Sequence, residues 1–276
     1  MRIGDTLAER FVIERAAGSG GMGEVYRALD QHTGQPVALK VLLSQEEDSI
    51  ARFEREARIL SEIDHPLIVR HVAHGALPSG DPYLVMEWLE GEDLASHLLR
   101  EKISAKDAIA IALSLAEALS ALHDRGIVHR DLKPRNIFLV DRRVDRVKLL
   151  DLGLALVDDA KRMTATGTLL GTVAYMAPEQ ARGALQIDAR VDVFALGCVL
   201  FECLTGEPSF GGEHTAAVLT KILFEEAPLL SQRLPDVPPE LDALVARMLS
   251  KRLKDRPQDG RAAAEALRAL SEVGLW

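Results

Sequence analysis

The chain of 276 residues is 47% hydrophobic and 27% charged, a globular balance that suits one large domain or two. Its 33 Lys and Arg residues are outnumbered by 42 Asp and Glu residues, and the net charge of −9 argues against a broad nucleic-acid surface. The most apolar run, 191–204, is too short to cross a membrane, and no signal-peptide core follows Met1. The two cysteines, Cys198 and Cys203, point to different helix faces, so we expect no disulfide and a cytoplasmic location.

The first predicted elements are a strand at 10–13 and a glycine-rich loop. Residues 18–26 read Gly-Ser-Gly-Gly-Met-Gly-Glu-Val-Tyr, and glycines let backbone amides approach phosphates. A Walker loop is excluded because Glu24 follows Gly23 where lysine is required. A dinucleotide fold is disfavoured because residues 25–26 indicate a strand where that fold needs a helix. A plain glycine hairpin remains an alternative.

A strand at 36–42 and a helix at 49–63 follow. Period two places Ala38 and Lys40 on one face of the strand, and a lysine in an apolar strand is costly without a partner. A solvent-facing lysine is the alternative. The helix carries an apolar stripe, with Glu54 and Glu56 beside it. Either glutamate could be solvated.

Two histidines and a further strand complete the first half. His71 and His74 stand at i and i+3 of an expected strand, so they should face opposite sides, and we do not expect zinc there. Residues 83–91 predict a strand that runs into a loop. Met86 in this strand suits an ordinary apolar core.

A helix at 105–123, closed by Gly126, leads into the octapeptide His-Arg-Asp-Leu-Lys-Pro-Arg-Asn at 129–136. Asp131 can accept a proton, Lys133 can neutralise a phosphate oxygen, and Asn136 can offer an oxygen to a metal. We expect Pro134 to deny this loop a helix. A chance polar loop is the alternative for the octapeptide alone.

The second half continues with strands at 137–140 and 147–150 and with Asp-Leu-Gly at 151–153. A threonine-containing segment closes with Ala-Pro-Glu at 177–179, and amphipathic helices fill 216–270. Asp192, at the start of the apolar 191–204 helix, is costly unless hydrogen-bonded, although the helix dipole alone would also favour it. Arg256 could be an ordinary surface arginine.

Taken in order, these segments resemble the signature elements of the protein kinases over about residues 10–270. Val25 stands two residues after the last loop glycine, and Val-Ala-Leu-Lys at 37–40 is similar to the nucleotide-binding strand. The sequences of the glycine loop and the octapeptide resemble those of the bacterial branch of eukaryotic-like (Hanks-type) serine/threonine kinases. The resemblance implies an α+β, two-lobed kinase fold, with a small antiparallel-sheet lobe and one helix over 10–87 and a larger, mainly helical lobe over 88–271.

The resemblance also implies ATP and Mg²⁺, or Mn²⁺ in its place, as cofactors. Asp131 and Lys133 would be catalytic, together with Lys40 braced by Glu56. Asn136 and Asp151 would bind the metal. The nucleotide-binding set that it implies is Gly18, Ser19, Gly20, Gly21, Met22, Gly23, Val25, Ala38, Lys40, Met86, Glu87, Leu89 and Phe138.

Further roles follow from the same resemblance. Residues 151–179 would form the activation segment, with Thr164 and Thr166 as phosphorylation candidates and Thr172 meeting the catalytic residues. Asp192 would hold the backbone of the catalytic loop, and Glu179 would pair with Arg256. Leu152 replaces the family's phenylalanine, which leaves the metal argument intact but leaves the balance of active and inactive states open.

The implied function is transfer of the ATP γ-phosphate to Ser or Thr hydroxyls of proteins, with autophosphorylation in the activation segment. The implied partners are protein substrates and a second kinase domain, without nucleic acid or membrane. A pseudokinase scaffold would usually lack Lys40, Asp131, Asn136 or Asp151, and none is missing. A small-molecule phosphotransferase would not be expected to combine Gly-Thr at 171–172 with Ala-Pro-Glu at 177–179.

Overall fold

The computed structural model describes residues 1–20, 23–44, 46–152 and 173–272. It divides into two compact units, Met1–Glu90 (unit 1) and Gly91–Trp276 (unit 2). The sequence predicted a nucleotide-binding lobe at 10–87 and a catalytic, substrate-docking lobe at 88–271. These limits and roles stay a prediction. Within the described ranges, no helix is long and apolar enough to cross a bilayer.

The described residues of unit 1 form a six-stranded antiparallel sheet and one helix, and the strand order is β1-β2-β3-β4-β6-β5. Apolar residues at alternate strand positions form its core, as the period-two pattern of β4 predicted. The apolar stripe of α1 is likewise buried. The elements are β1 (Thr6–Leu7), β2 (Phe11–Gly20), β3 (Gly23–Asp30), β4 (Gln35–Val41), α1 (Glu47–Ser61), β5 (His71–Ala76) and β6 (Pro82–Glu87).

Gly23 allows β3 to start close against β4. Its φ is +134°, and a Cβ at this position would lie 1.9 Å from the carbonyl oxygen of Val41. Only glycine fits both constraints. Gly23 also pairs with Gly20 at the end of the β2–β3 ladder.

The expectation that His71 and His74 face opposite sides is wrong. The register of β5 against β6 shifts between His71 and Ala73, where an extra residue forms a β-bulge. The bulge breaks the period of two and brings His71 Nε2 to 2.8 Å from His74 Nδ1. Burial, followed by the neighbouring His74 charge, lowers the pKa of His71. Among the described residues, no group of three or more His, Cys, Asp or Glu could hold a metal ion.

Unit 2 is mainly helical, with a small antiparallel sheet in the order β7-β8-β9. The expected helix at 191–204 is found as α5, which is buried on nearly every side. Together the two units confirm the expected two-part α+β fold class. The elements of unit 2 are β7 (Gly91–Asp93), α2 (Leu94–Arg100), α3 (Ala105–His123), β8 (Ile137–Val140), β9 (Val147–Leu149), α4 (Pro178–Ala181), α5 (Arg190–Thr205), α6 (Thr215–Phe224), α7 (Pro239–Met248) and α8 (Gly260–Glu272).

The two cysteines lie on α5 as free, buried thiols. Burial raises the pKa of Cys198 to about 12 and also raises that of Cys203. Since the thiolate is the reactive form, both side chains are core residues rather than nucleophiles.

Candidate active site

The loop between α3 and β8 contains a short helical turn, contrary to expectation. Pro134–Asn136 forms one 3₁₀ turn, which the Asn136 amide closes by donating to the carbonyl of Lys133 at 2.9 Å. Proline stands at the first position of the turn, where its fixed φ is suitable and its missing N–H costs nothing. Pro134 therefore starts a turn here instead of preventing one.

The turn brings together the three polar side chains singled out in this loop. Lys133 Nζ lies 2.7 Å from Asp131 Oδ2. The Asn136 amide nitrogen donates to the same carboxylate oxygen at 3.0 Å and to the Asp131 carbonyl at 2.8 Å. Both bonds use the nitrogen of the carboxamide, so its oxygen is the atom suited to a metal. The result is an oriented carboxylate with a cation beside it.

Asp192 holds the backbone that precedes Asp131. This fully buried carboxylate accepts hydrogen bonds from the amides of His129 and Arg130, both at 2.7 Å. Arg130 has a φ of +70°, an uncommon conformation for a side chain of its size. The two charge-assisted bonds stabilise this conformation and so set the direction of the chain at Asp131.

His123 was not predicted as part of the site. Its Nε2 lies 2.9 Å from Asp192 Oδ2, while its Nδ1 accepts from the Gly260 amide at 2.9 Å. The second bond makes Nε2–H the donor to Asp192. A Cβ at Gly260 would lie 2.4 Å from the Ser120 amide nitrogen, so glycine permits this approach of α8 to α3. No local pattern around His123 indicates these contacts.

A backbone hydrogen bond places Leu150, the residue before Asp151, beside Asn136. The Leu150 amide donates to the Asn136 carbonyl at 2.8 Å, and His129 Nε2 lies 3.4 Å from the Leu150 carbonyl. Leu152, which follows Asp151, is buried. Carboxylate and amide oxygens are ligands that Mg²⁺ accepts, commonly together with phosphate and water oxygens. Asp151 and Asn136 therefore fit a magnesium ion.

A second buried ion pair links α4 to the segment after α7. Arg256 donates to both carboxylate oxygens of Glu179, at 2.7 and 3.0 Å, and its side chain is fully buried. The same guanidinium donates to the carbonyls of Ser250 and Arg190. Arg256 is therefore not the surface arginine that was the alternative.

Tyr175 and Glu202 form a buried pair that the sequence did not indicate. The tyrosine hydroxyl lies 2.5 Å from Glu202 Oε2. Burial raises the pKa of both groups. The bond ties the chain just before α4 to the central helix α5.

In unit 1, Lys40 of β4 faces Glu56 of α1. Their charged atoms are 3.7 Å apart, and both side chains are more than nine-tenths buried. Glu54 is exposed, so Glu56 is the glutamate that meets the lysine. Of the two alternatives for Lys40, the solvent-facing position is wrong because α1 covers it.

Four of the predicted nucleotide residues of unit 1, Val25, Ala38, Lys40 and Met86, lie on one face of the sheet. Val25 pairs with Lys40, and Ala38 pairs with Met86. Glu87 ends β6, and its Oε1 accepts from the Arg70 amide at 2.8 Å. The predicted residues of the glycine loop that the structure describes, in the β2–β3 hairpin, are Gly18, Ser19, Gly20 and Gly23.

Several predicted residues are not grouped in this way. Phe138 lies in unit 2, on β8, paired with Asp93 and Lys148. Leu89 follows β6 in unit 1. Outside the described residues lie Gly21, Met22, Thr164, Thr166 and Thr172.

This fold and this set of side chains define a protein kinase domain. The family described as "Protein kinase domain" matches residues 11–269, and the chain belongs to it.

Several curated relatives of the chain are bacterial, as the sequences of the glycine loop and the octapeptide predicted. Serine/threonine-protein kinase pkn3 of Myxococcus xanthus is 39% identical over an alignment of 279 residues that covers 97% of this chain and 50% of the relative. Serine/threonine-protein kinase PknB of Mycolicibacterium smegmatis is 40% identical over an alignment of 261 residues that covers 91% of this chain and 41% of the relative. Pkn2 of Myxococcus xanthus is 40% identical, covering 95% and 32%. The chain thus spans half or less of the length of these relatives.

Proposed function

We propose that this chain is a serine/threonine protein kinase domain that transfers the γ-phosphate of ATP to Ser or Thr hydroxyls of proteins. The observation that carries the proposal is the Asp131 cluster, in which Lys133 Nζ and the Asn136 amide meet one carboxylate oxygen at 2.7 and 3.0 Å. Phosphoryl transfer needs mainly positioning and charge neutralisation, and this cluster supplies both. Membership of the kinase family supports the same reaction.

Each residue of the cluster has a chemical role in this proposal. Asp131 orients the acceptor hydroxyl and takes its proton, because its carboxylate is held in place by two donors. Lys133 stabilises the charge on the transferred phosphoryl group. Asp192 is a positioning residue, since it acts on Asp131 only through the backbone of His129 and Arg130.

ATP and Mg²⁺, with Mn²⁺ as a substitute, fit the donor atoms of the chain. Lys40, braced by Glu56, would hold the α and β phosphates, and amides of the β2–β3 hairpin would meet the phosphates. Asn136 and Asp151 would hold the metal, which when bound neutralises phosphate charge. Backbone groups at Glu87 and Leu89 would meet adenine. The apolar residues that would line the nucleotide are Val25, Ala38, Met86 and Phe138.

We propose further that the chain phosphorylates itself at Thr166 or Thr164, with Thr172 helping to dock the acceptor. Arg130, next to the catalytic aspartate, can bind a phosphate bidentately. Phosphorylation should affect activity only weakly, because Leu156 stands where the family often has a second basic residue to complete the phosphate-binding pocket. Mass spectrometry after incubation with ATP and magnesium tests this, and a segment without phosphate in an active enzyme would reject it. If one copy phosphorylates another, two kinase domains must form a transient dimer. The proposed location of the reaction is the cytoplasm.

The deciding experiment is transfer from γ-radiolabelled ATP to a generic protein substrate. Asp131→Asn should lower the rate by about 10²–10⁴-fold, the usual contribution of a positioned general base. Its circular dichroism spectrum should be unchanged. The matched control is Asp236→Asn, which changes an exposed aspartate and should transfer at the wild-type rate. Near-normal transfer by Asp131→Asn would refute the assignment.

A further inference from the structure

The last residues of unit 1, 87–90, are tied back onto the sheet by a tryptophan and two arginines. The guanidinium carbon of Arg15 lies 5.1 Å from the centre of the Trp88 ring, and that of Arg27 lies 5.6 Å from it. Trp88 Nε1 also donates to Glu90 Oε1 at 2.6 Å. Both arginines are within the range in which an aromatic ring attracts a cation.

These contacts join parts of the sheet that are not neighbours. Arg15 on β2 and Arg27 on β3 are directly paired in the ladder. Trp88 follows β6, and β4 lies between β6 and β3 in the strand order. The Trp88 and arginine side chains therefore meet across the face of β4.

The two neighbouring arginine charges need partners that offset their repulsion. Two like charges directly opposite each other in an antiparallel ladder repel. The carboxylate of Glu14 contacts Arg27, and the electron-rich face of Trp88 attracts both guanidinium groups. The indole therefore offsets a repulsion that the strand register imposes.

Glu87, the residue before Trp88, is held by the backbone of Arg70. The Glu87 amide donates to the Arg70 carbonyl at 2.9 Å, and the Glu87 side chain accepts from the Arg70 amide at 2.8 Å. Trp88 thus lies between an anchored Glu87 and the backbone of Leu89. Adjacent residues in an extended chain point to opposite sides, so fixing the Trp88 side chain fixes the orientation of the peptide groups on either side.

We propose that Arg15, Arg27 and Trp88 form a clasp that positions residues 87–90 for binding the adenine of ATP. The inference rests on the proposed function, in which Glu87 and Leu89 meet adenine. Trp88 is then a positioning residue: it presents the backbone groups, whereas its own ring stacks on the arginines.

The test compares Trp88→Leu, Trp88→Phe and the double variant Arg15→Gln/Arg27→Gln, with Arg58→Gln, an exposed arginine on α1, as the control. A fluorescent ATP analogue with Mg²⁺ gives Kd, and steady-state kinetics give kcat and KM for ATP and for protein. Trp88→Leu and the double variant should raise Kd and KM for ATP about five- to tenfold, the scale of one or two exposed cation–π contacts. The kcat value and the KM for protein should change less than about twofold, because the variants leave the reacting groups untouched. Trp88→Phe, which keeps a π face, should lie between wild type and Trp88→Leu.

A second readout does not depend on activity. The chain has two tryptophans, so Trp276→Phe leaves Trp88 as the only one. In that background, Arg15→Gln/Arg27→Gln should increase acrylamide quenching of Trp88 fluorescence, whereas Arg58→Gln should not. Unchanged quenching, or unchanged nucleotide affinity in variants that melt like wild type, would overturn the clasp alone. Failure of the wild-type chain to bind ATP would overturn the proposed function, and with it the positioning role.

Discussion

The two units hold their charged site residues in different ways. In unit 2, the backbone before Asp131 is bonded twice to Asp192 at 2.7 Å, and Lys133 touches the Asp131 carboxylate at 2.7 Å. In unit 1, Lys40 and Glu56 stand on separate elements, with charged atoms 3.7 Å apart. The loop of unit 2 owes its shape to short polar contacts, whereas the pair of unit 1 is positioned by the packing of α1. Substitution of Asp192 should therefore affect folding and catalysis together, whereas substitution of the Lys40–Glu56 pair should affect catalysis alone.

The largest effect should come from Asp192→Ala. The change leaves two buried amides and His123 without their acceptor, so the free energy of unfolding should fall by about 3–5 kcal/mol, as for other broken buried polar networks. Phosphoryl transfer should fall to background because the Asp131 loop loses its conformation. Urea denaturation and the transfer assay measure the two effects. With Asp236→Ala as the exposed control, an Asp192→Ala protein that unfolds at the wild-type midpoint would contradict the comparison.

The double variant Lys40→Met/Glu56→Met should separate activity from stability. Replacing a buried ion pair by apolar residues of similar size is often neutral, so the free energy of unfolding should change by about 1 kcal/mol or less. Transfer should drop by about 10²–10³-fold because a cation that neutralises phosphate charge is gone. If the double variant unfolds as readily as Asp192→Ala, the pair is structural and the contrast between the units is wrong.

An acid-sensitive contact in unit 2 should have a smaller effect. Arg100, followed by His97, lowers the pKa of Glu92 from 4.5 to about 2. The unfolded carboxyl protonates first as the pH falls, so this stabilisation is complete above about pH 4.5 and is lost towards pH 2. Because the Arg100 side chain is 44% exposed, solvent screens the contact and its contribution to stability should be small.

Chemical denaturation between pH 5 and 2 measures this loss, and Glu92→Gln should flatten the pH dependence relative to the exposed control Glu62→Gln. Unit 1 offers the parallel case, since hydrogen bonding to Arg10 lowers the pKa of Asp30. Asp30→Asn should likewise remove acid sensitivity, in a window that starts at the ordinary pKa of 3.8. Equal slopes in all four proteins would exclude both contacts as acid-sensitive elements.

The smallest effect concerns the peptide substrate. Arg135 is exposed on the 3₁₀ turn beside the Asp131 cluster. A guanidinium there should give tolerance or a mild preference for acidic residues upstream of the acceptor, at about 0–1 kcal/mol for an exposed ion pair. The net charge of −9 favours cationic peptides at long range, but salt screens that term within about 8–10 Å. In a positional peptide library, strong upstream arginine selection that persists in Arg135→Ala would show that Arg135 does not read the substrate.

Much of the fold and site was predictable from local patterns. The period-two apolar residues of β4, the stripe on α1 and the apolar α5 each indicated their element, because secondary structure follows short-range periodicity. The octapeptide at 129–136 indicated phosphoryl-transfer chemistry because its carboxylate, lysine and carboxamide lie within six residues. Motifs in a fixed order then indicated the family.

Only the tertiary structure decided how distant residues meet. His71 and His74 share a side because a bulge shifts the register of β5, and no feature of their own segment marks that bulge. Asp192 reaches His129 from 63 residues further along the chain, and Trp88 reaches Arg15 across two intervening strands. Strand register and long-range packing are set by the whole core together, so a local segment of sequence does not carry them.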